Sequence, residues 1–265
     1  GTDTMGHTAA ILSFMVQDSP VPIVLVGSQR SSDRPSSDAA LNLIHSVRTA
    51  AYSDLAEVVI CMFGPTSDRY GLLHRGTRCR KMHSSYRSTF RTVGDIPLAM
   101  VSRDSFTYLT DDYRKRDKAR APKIDPVYDD RTTILYYYPG MNPDLVDALV
   151  EKGYHGIVIA GTGLGHVNKP LYPAIKRATD AGVHIVMAVQ TIWGFAQMYV
   201  YDTGRDLMDL GIVPLDNMIP ETALMKLSWV LGHTRERAEV MRMMTTPIAH
   251  EITPREPHNG YLVMQ

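Results

Sequence analysis

Residues 21–63 read VPIVLVGSQRSSDRPSSDAALNLIHSVRTAAYSDLAEVVICMF. Two apolar runs, Val21–Val26 and Ala56–Phe63, flank a polar loop and a helical segment. Neither run alternates apolar with polar residues, so each predicts a strand covered on both faces, as in a parallel sheet between helices. After the loop Gly27-Ser-Gln-Arg-Ser-Ser-Asp-Arg-Pro35, Ser36 or Ser37 is placed to cap a helix reaching about Ala51. Two strands joined through a helix of that length form a right-handed crossover. The segment therefore predicts a doubly wound α/β fold.

Outward from this unit, Thr4–Val16 has the pattern of a helix. Between Tyr113 and Asp130 the character changes. Arg114-Lys-Arg-Asp-Lys-Ala-Arg-Ala-Pro-Lys123 is basic, poor in apolar residues and followed by Pro126. It reads as a solvated linker over 114–130, with an RNA-facing patch as the minority reading. The second half repeats the α/β pattern. Strands are expected at Thr132–Tyr138, His155–Ala160 and Val183–Val189. Asn142 with Pro143 starts a helix, and another follows Pro170 to near Gly182. Ala223, Leu224, Leu227, Val230 and Leu231 mark one helical face closed by Gly232, and Thr234 caps a further helix to about Met244. The expected architecture is two doubly wound α/β domains with mainly parallel sheets, 1–113 and 131–265.

Composition narrows the function classes. Lys plus Arg total 28, equal to Asp plus Glu at 28, which argues against a generally basic nucleic-acid-binding surface. Cys61 and Cys79 form no CxxC pair and no disulfide framework, as suits a reducing compartment. The apolar runs are strand-sized, far short of the roughly 20 residues that span a bilayer. The histidines show no HExxH or clustered ligand spacing, so no catalytic metal is expected. A phosphate-binding Gly-x-x-x-x-Gly-Lys-Ser/Thr motif is missing as well. Gly161-Thr-Gly-Leu-Gly-His166 superficially suggests a dinucleotide loop. Pro170 and the lack of a suitably spaced acidic residue favour a glycine-rich turn at a domain interface, bringing His166 toward a pocket.

The candidate chemistry lies elsewhere. Thr2 and Asp3 precede the first helix, and locally they read as N-cap residues. A catalytic reading requires a base, because a threonine hydroxyl is a poor nucleophile until its proton is removed. Lys81, in Arg75-Gly-Thr-Arg-Cys-Arg-Lys-Met-His83, is of the right type. Its segment also reads as a solvated basic loop, but crowded cations would lower a lysine's pKa, and a carboxylate could orient it. Ser28 lies in the loop after a buried strand, at the carboxyl edge where open α/β folds bind ligands. Free backbone N–H groups there could hold a carboxylate or an oxyanion. Asp33, Ser36, Ser37 and Asp38 read as turn formers and caps.

Together, Gly1-Thr-Asp-Thr-Met5, the run from Val24 through Ser-Ser-Asp-Arg-Pro-Ser-Ser-Asp, Arg-Lys-Met-His83 and Ala160-Gly-Thr-Gly-Leu-Gly-His166 resemble the bacterial-type L-asparaginase family. His74-Arg-Gly-Thr and Pro254-Arg-Glu-Pro-His-Asn-Gly-Tyr-Leu262 point within it to the branch of archaeal glutamyl-tRNA(Gln) amidotransferase D subunits. The resemblance covers essentially the whole chain. It implies that Thr2, Asp3 and Lys81 are catalytic and that Ser28 contacts substrate. It implies glutamine hydrolysis through an acyl-enzyme, with ammonia passing to a partner, the amidotransferase E subunit, which converts Glu-tRNA(Gln) to Gln-tRNA(Gln). ATP and Mg²⁺ would be used by that partner and no cofactor by this chain; a homodimer and a cytoplasmic setting are implied too. Family members carry a Thr-Gly-Gly-Thr-Ile motif, and the D subunits a small β-rich domain, before the part matched here. The chain is therefore expected to be an N-terminally truncated fragment without a full catalytic set. Ile219 before Pro220 departs from the family pattern and weakens one helix cap by about 1 kcal/mol. A free-standing L-asparaginase and an inactive partner-binding scaffold are the alternatives.

Overall fold

Val58–Phe63 forms a strand in which every residue is buried. It pairs in parallel with Ile23–Leu25, in the register Ile23↔Val58, Val24↔Val59 and Leu25↔Ile60. The coordinates are a computed structural model that describes residues 1–65 and 67–261. Of the closing motif Pro254–Leu262, Leu262 lies outside the described residues. The chain divides into two compact units, one of residues 1–126 with the segment from Arg255 onward, the other Val127–Pro254.

In chain order the first unit contains α1 (Met5–Met15), β1 (Val16–Gln17), β2 (Ile23–Leu25), α2 (Ala39–Tyr52), β3 (Val58–Phe63) and β4 (Gly71–Arg75). It continues through β5 (Cys79–Lys81), β6 (Phe90–Thr92), β7 (Ala99–Val101), β8 (Phe106–Tyr108) and β9 (Lys123–Ile124). The second unit contains β10 (Thr132–Tyr136), α3 (Asp144–Glu151), β11 (Gly156–Gly161), α4 (Tyr172–Asp180), β12 (His184–Val189), α5 (Asp202–Asp209), β13 (Val213–Pro214), α6 (Pro220–Leu231) and α7 (Arg237–Thr245). A short α8 (His258–Tyr261) belongs to the first.

The unbroken apolar run of β3 has a direct cause. Side chains alternate across a strand, and β3 is packed on both sides. Val58, Ile60 and Met62 join Met5 and Ala9 of α1, Cys79 and Phe90 in one core. Val59 and Cys61 join Leu55, Leu73, Leu98, Ala99 and Val101 in another. Burial pushes the Cys61 thiol up to about 12, so it stays protonated and inert.

The first unit's main sheet has the order β2-β3-β4-β7-β8. Only β2 and β3 are parallel in it; the remaining pairs are antiparallel. The expectation of mainly parallel strands is corrected here, and chain length is the reason. Residues 64–70 and 102–105 are too short to hold a crossover helix, so the strands they join must reverse direction. The second unit is as expected, with β10-β11-β12-β13 parallel throughout. Helices α3, α4 and α5 supply its crossovers.

The domain boundaries shift as well. Segment 114–126 is bound to the first unit instead of linking freely. Lys123 and Ile124 pair with Gln17 and Val16. Arg116 donates to the Ala50 and Ser53 carbonyls at 2.7 and 2.9 Å, and Arg120 to the Ser19 carbonyl at 3.1 Å. Two of these acceptors lie in or beside the last turn of α2, where helix carbonyls lack partners and attract cations. The passage to the second unit falls at Pro126–Val127, and the expected span 131–265 ends at Pro254, because the chain then rejoins the first unit.

Helix α6 is buried nearly all round, where a single apolar face was expected. Lys226 and Glu251, both fully buried, pair at 2.5 Å. Lys226 also donates to the carbonyls of Met244 and Thr246, and Glu251 accepts from the N–H groups of Ile248 and Ala249. Burial pulls the Lys226 pKa down, and Glu251 offsets this. No helix among the described residues is long and apolar enough to cross a membrane.

Buried ionisable groups make stability testable at two places. Lys226→Met leaves a buried carboxylate without its counter-ion and is expected to lower unfolding free energy by about 3–5 kcal/mol in urea titrations. Adding Glu251→Gln is expected to restore part of that loss; a double variant no more stable than the single would contradict the assignment. His74 is buried, and desolvation with the nearby Arg91 charge lowers its pKa to about 3. Below pH ~6.5 the unfolded chain takes up a proton that the folded chain refuses. Stability is thus intact above that pH and falls by up to about 1.4 kcal/mol per unit toward pH ~3. His74→Gln is expected to flatten this slope; an unchanged slope of stability against pH would exclude His74 as its source.

Candidate active site

Thr2 and Asp3 stand at the entrance to α1, which the apolar face of Met5 and Ala9 fixes against β3. They are not side-chain caps: the N-cap position is Thr4, and it makes no side-chain capping hydrogen bond. What brings α1 to β5 is Gly6. A Cβ there would lie 2.9 Å from the Cys79 carbonyl oxygen, closer than a side chain tolerates. Lys81, at the end of β5, is thereby set over the start of the helix. Its Nζ donates to Thr2 Oγ1 at 3.0 Å and to Asp3 Oδ1 at 2.6 Å. Thr2 is 9% exposed, the Lys81 side chain 16% and the Asp3 side chain 90%. The hydroxyl is thus shielded while the acid faces outward. The Lys81 ammonium, through its hydrogen bond and its charge, holds the Asp3 carboxyl below the usual carboxylate range.

Much of the basic segment is buried and is not a solvated loop. His74, Arg75 and Arg78 are buried. Arg75 pairs with Glu57 at 2.9 Å and Asp95 at 3.3 Å, and Arg78 donates to the Gly94 carbonyl. The partners of Lys81 in the site are a hydroxyl and a carboxylate, not a group of cations.

The loop carrying Ser28 lies beside this triad. A Cβ on Gly27 would meet Thr2 Cγ2 and Met5 Cε at 3.0 Å, so the absence of a side chain lets the loop approach. Gln29 Nε2 donates to the Ser84 carbonyl at 2.5 Å, tying the loop to the turn just after Lys81. Ser28 is half-buried between these two anchors, and among the described residues its hydroxyl makes no hydrogen bond. Two of the backbone N–H groups of this loop, expected to be free for an anion, are already used. Those of Gln29 and Arg30 donate to the Asp38 carboxylate at 3.0 and 2.9 Å. Asn42, one helical turn on, donates to Asp38 at 2.7 Å and to the Gly27 carbonyl at 2.9 Å.

Asp38 and Asn42 are therefore the positioning residues that a reading of turn formers and caps missed. Both are fully buried. The available signal was an acid and an amide at i and i+4 directly after a glycine-containing loop.

Thr162–His166 makes a tight turn closed by the Thr162 N–H and the His166 carbonyl at 3.0 Å. Gly163 and Gly165 there have φ of +53° and +98°. No helix starts in it, since α4 begins at Tyr172, and it lacks the form of a dinucleotide loop. His166 is held at Nδ1 by Thr203 Oγ1, 3.3 Å away, and burial lowers its pKa.

Chemically, the first unit offers a shielded hydroxyl, an amine in contact with it and a carboxylate orienting the amine. That is the arrangement of nucleophile, base and orienting group used in acyl transfer.

The family profile described as the N-terminal asparaginase domain matches residues 1–114. The glutaminase/asparaginase C-terminal domain matches 131–244. The glutamyl-tRNA(Gln) amidotransferase D subunit of Pyrococcus furiosus is 52% identical over 264 residues, covering 99% of this chain and 60% of that protein. The Thermococcus kodakarensis protein of the same name is 54% identical over 255 residues, covering 96% and 58%. The chain thus spans about three-fifths of the length of these relatives. Among solved structures, the thermostable L-asparaginase of T. kodakarensis superposes with a TM-score of 0.86 at 29% identity, over 96% of this chain and 74% of that one. L-asparaginase I of Vibrio cholerae superposes with a TM-score of 0.81 at 28% identity, over the same shares. With both domain profiles matched in order, and with relatives of this identity along nearly its full length, the chain belongs to the glutaminase/asparaginase family.

Proposed function

We propose that this chain carries the glutamine-hydrolysing site of a tRNA-dependent amidotransferase, with Thr2, Asp3 and Lys81 as its catalytic residues and Ser28 contacting substrate. The observation that carries the reading is the bifurcated contact of Lys81 with the Thr2 hydroxyl and the Asp3 carboxylate. The names of the curated relatives support the amidotransferase assignment.

In this mechanism Lys81 is the base: Thr2 Oγ1 attacks the carboxamide carbon of glutamine as its proton passes to the lysine nitrogen. Asp3 stabilises the lysine ammonium that forms. The ammonium returns its proton to the departing nitrogen, ammonia leaves, and water hydrolyses the resulting ester to release glutamate. The Ser28 hydroxyl, free of protein partners among the described residues, is available to a polar group of the substrate. Ammonia then passes to the partner E subunit, where ATP and Mg²⁺ activate the glutamyl group of Glu-tRNA(Gln). The chain itself needs no cofactor, and the setting is the cytoplasm. A homodimer within the complex completes the proposal.

A free-standing L-asparaginase is the second reading, favoured by the structural superposition on two such enzymes. Substrate preference separates them: stimulation of glutamine hydrolysis by the E subunit and Glu-tRNA(Gln) marks the first, rapid unassisted asparagine hydrolysis the second. In either case Lys81→Met is expected to lower kcat/KM by about 10³-fold, the range of a lost general base, and Thr2→Val, which removes the nucleophile, by at least as much. Far-UV circular dichroism and Tm are expected to stay near wild type. Normal turnover in these variants would exclude the triad.

A further inference from the structure

The first unit holds a cavity, of about 140 Å³, that the proposed reaction does not use. Its apolar wall includes Leu72, Ile96 and Leu109, and its polar wall His74, Arg91 and Thr92. Two of these groups are incompletely paired. His74 is 1% exposed, and its Nδ1 sits 2.9 Å from Thr92 Oγ1, yet its buried Nε2 has no hydrogen-bond partner. A buried polar atom left unsatisfied costs stability unless a ligand or water meets it. Arg91 is half-buried, and its Nη1 donates to the carbonyls of Ser88 and Phe90. Among the described residues it makes no ion pair, and desolvation lowers its pKa. Asp95, also on the wall, is already committed to Arg75 at 3.3 Å and to the Ile96 N–H at 2.8 Å.

A partly buried cation without a counter-ion, an orphaned imidazole nitrogen and an apolar wall call for one kind of occupant. We propose that this cavity binds a compact apolar carboxylate, its charge on Arg91, a polar atom at His74 Nε2 and its body against Leu72, Ile96 and Leu109. An apolar cavity of about this size accepts a benzene ring, so benzoate has a suitable body and charge. Arg91 and Thr92 lie on β6, whose Phe90 is paired with Lys81 on β5. The cavity is nevertheless distinct from the Thr2 site in its lining residues.

Titration of benzoate into the whole chain, followed by calorimetry or by ligand-observed NMR, tests this, with uncharged benzamide as the control. Saturable benzoate binding is expected. Arg91→Met is expected to weaken it about tenfold, as for one lost charge-assisted contact, while leaving benzamide unaffected. Leu109→Trp, which fills the cavity, is expected to abolish binding of both. Lys81→Met is expected to change neither, which separates this site from the triad and from the glutaminase reading. Absence of saturable benzoate binding, equal affinity in Arg91→Met, or loss of binding in Lys81→Met would overturn the proposal.

Discussion

Burial of β3 on both faces is the constraint from which the first unit follows. A strand that exposes neither face needs one layer to cover Val58, Ile60 and Met62 and another to cover Val59 and Cys61. Helix α1 supplies part of the first layer, and in doing so it fixes where Thr2 and Asp3 stand. Cys79 and Phe90 complete that layer from β5 and β6, which carries Lys81 to the same end. The catalytic candidates are thus by-products of packing: the core that hides β3 also brings the helix entrance to the end of β5.

Buried charged groups in the interior are held by partners. Asp38 accepts from two loop N–H groups and from Asn42, and Lys226 with Glu251 exchanges charge and hydrogen bonds in full. Arg116 and Arg120 use backbone carbonyls. Several buried side-chain polar atoms lack a hydrogen-bond partner, among them His45 Nδ1, His74 Nε2 and His166 Nε2, and His74 lies on the wall of a cavity. An unsatisfied buried atom that lines a cavity is informative because a ligand can reach it.

Helix α2 shows the limit of pattern reading. Its span is close to that expected, yet it turns Asn42, His45, Ser46 and Thr49 inward. Leu43, Ile44 and Val47 are 46–60% exposed. Hydrophobic periodicity would place the apolar stripe inside. The polar face is inward because Asn42 must reach Asp38 and the Gly27 carbonyl, and because the Ser46 and Thr49 hydroxyls bond back to their own helix at 2.7 and 2.8 Å. Local self-satisfaction makes such residues tolerable in a buried position.

By itself the sequence determined β2, β3, β10, β11 and β12 and most of the helices, because unbroken apolar runs and helical periodicity are local properties, while β4–β8, α5 and β13 went unread; it determined the family through motifs spread along the chain. It also named Thr2, Asp3, Lys81 and Ser28. Tertiary structure alone decided what holds them. The basic run around Lys81 looked solvated until Arg75 and Arg78 proved buried, and the linker looked free until its arginines found carbonyls. The fate of a charge depends on partners tens of residues away, which no local pattern encodes. The contact between Lys81 and Thr2 spans 79 positions in the chain, and it exists because Gly6 lets a helix approach a strand.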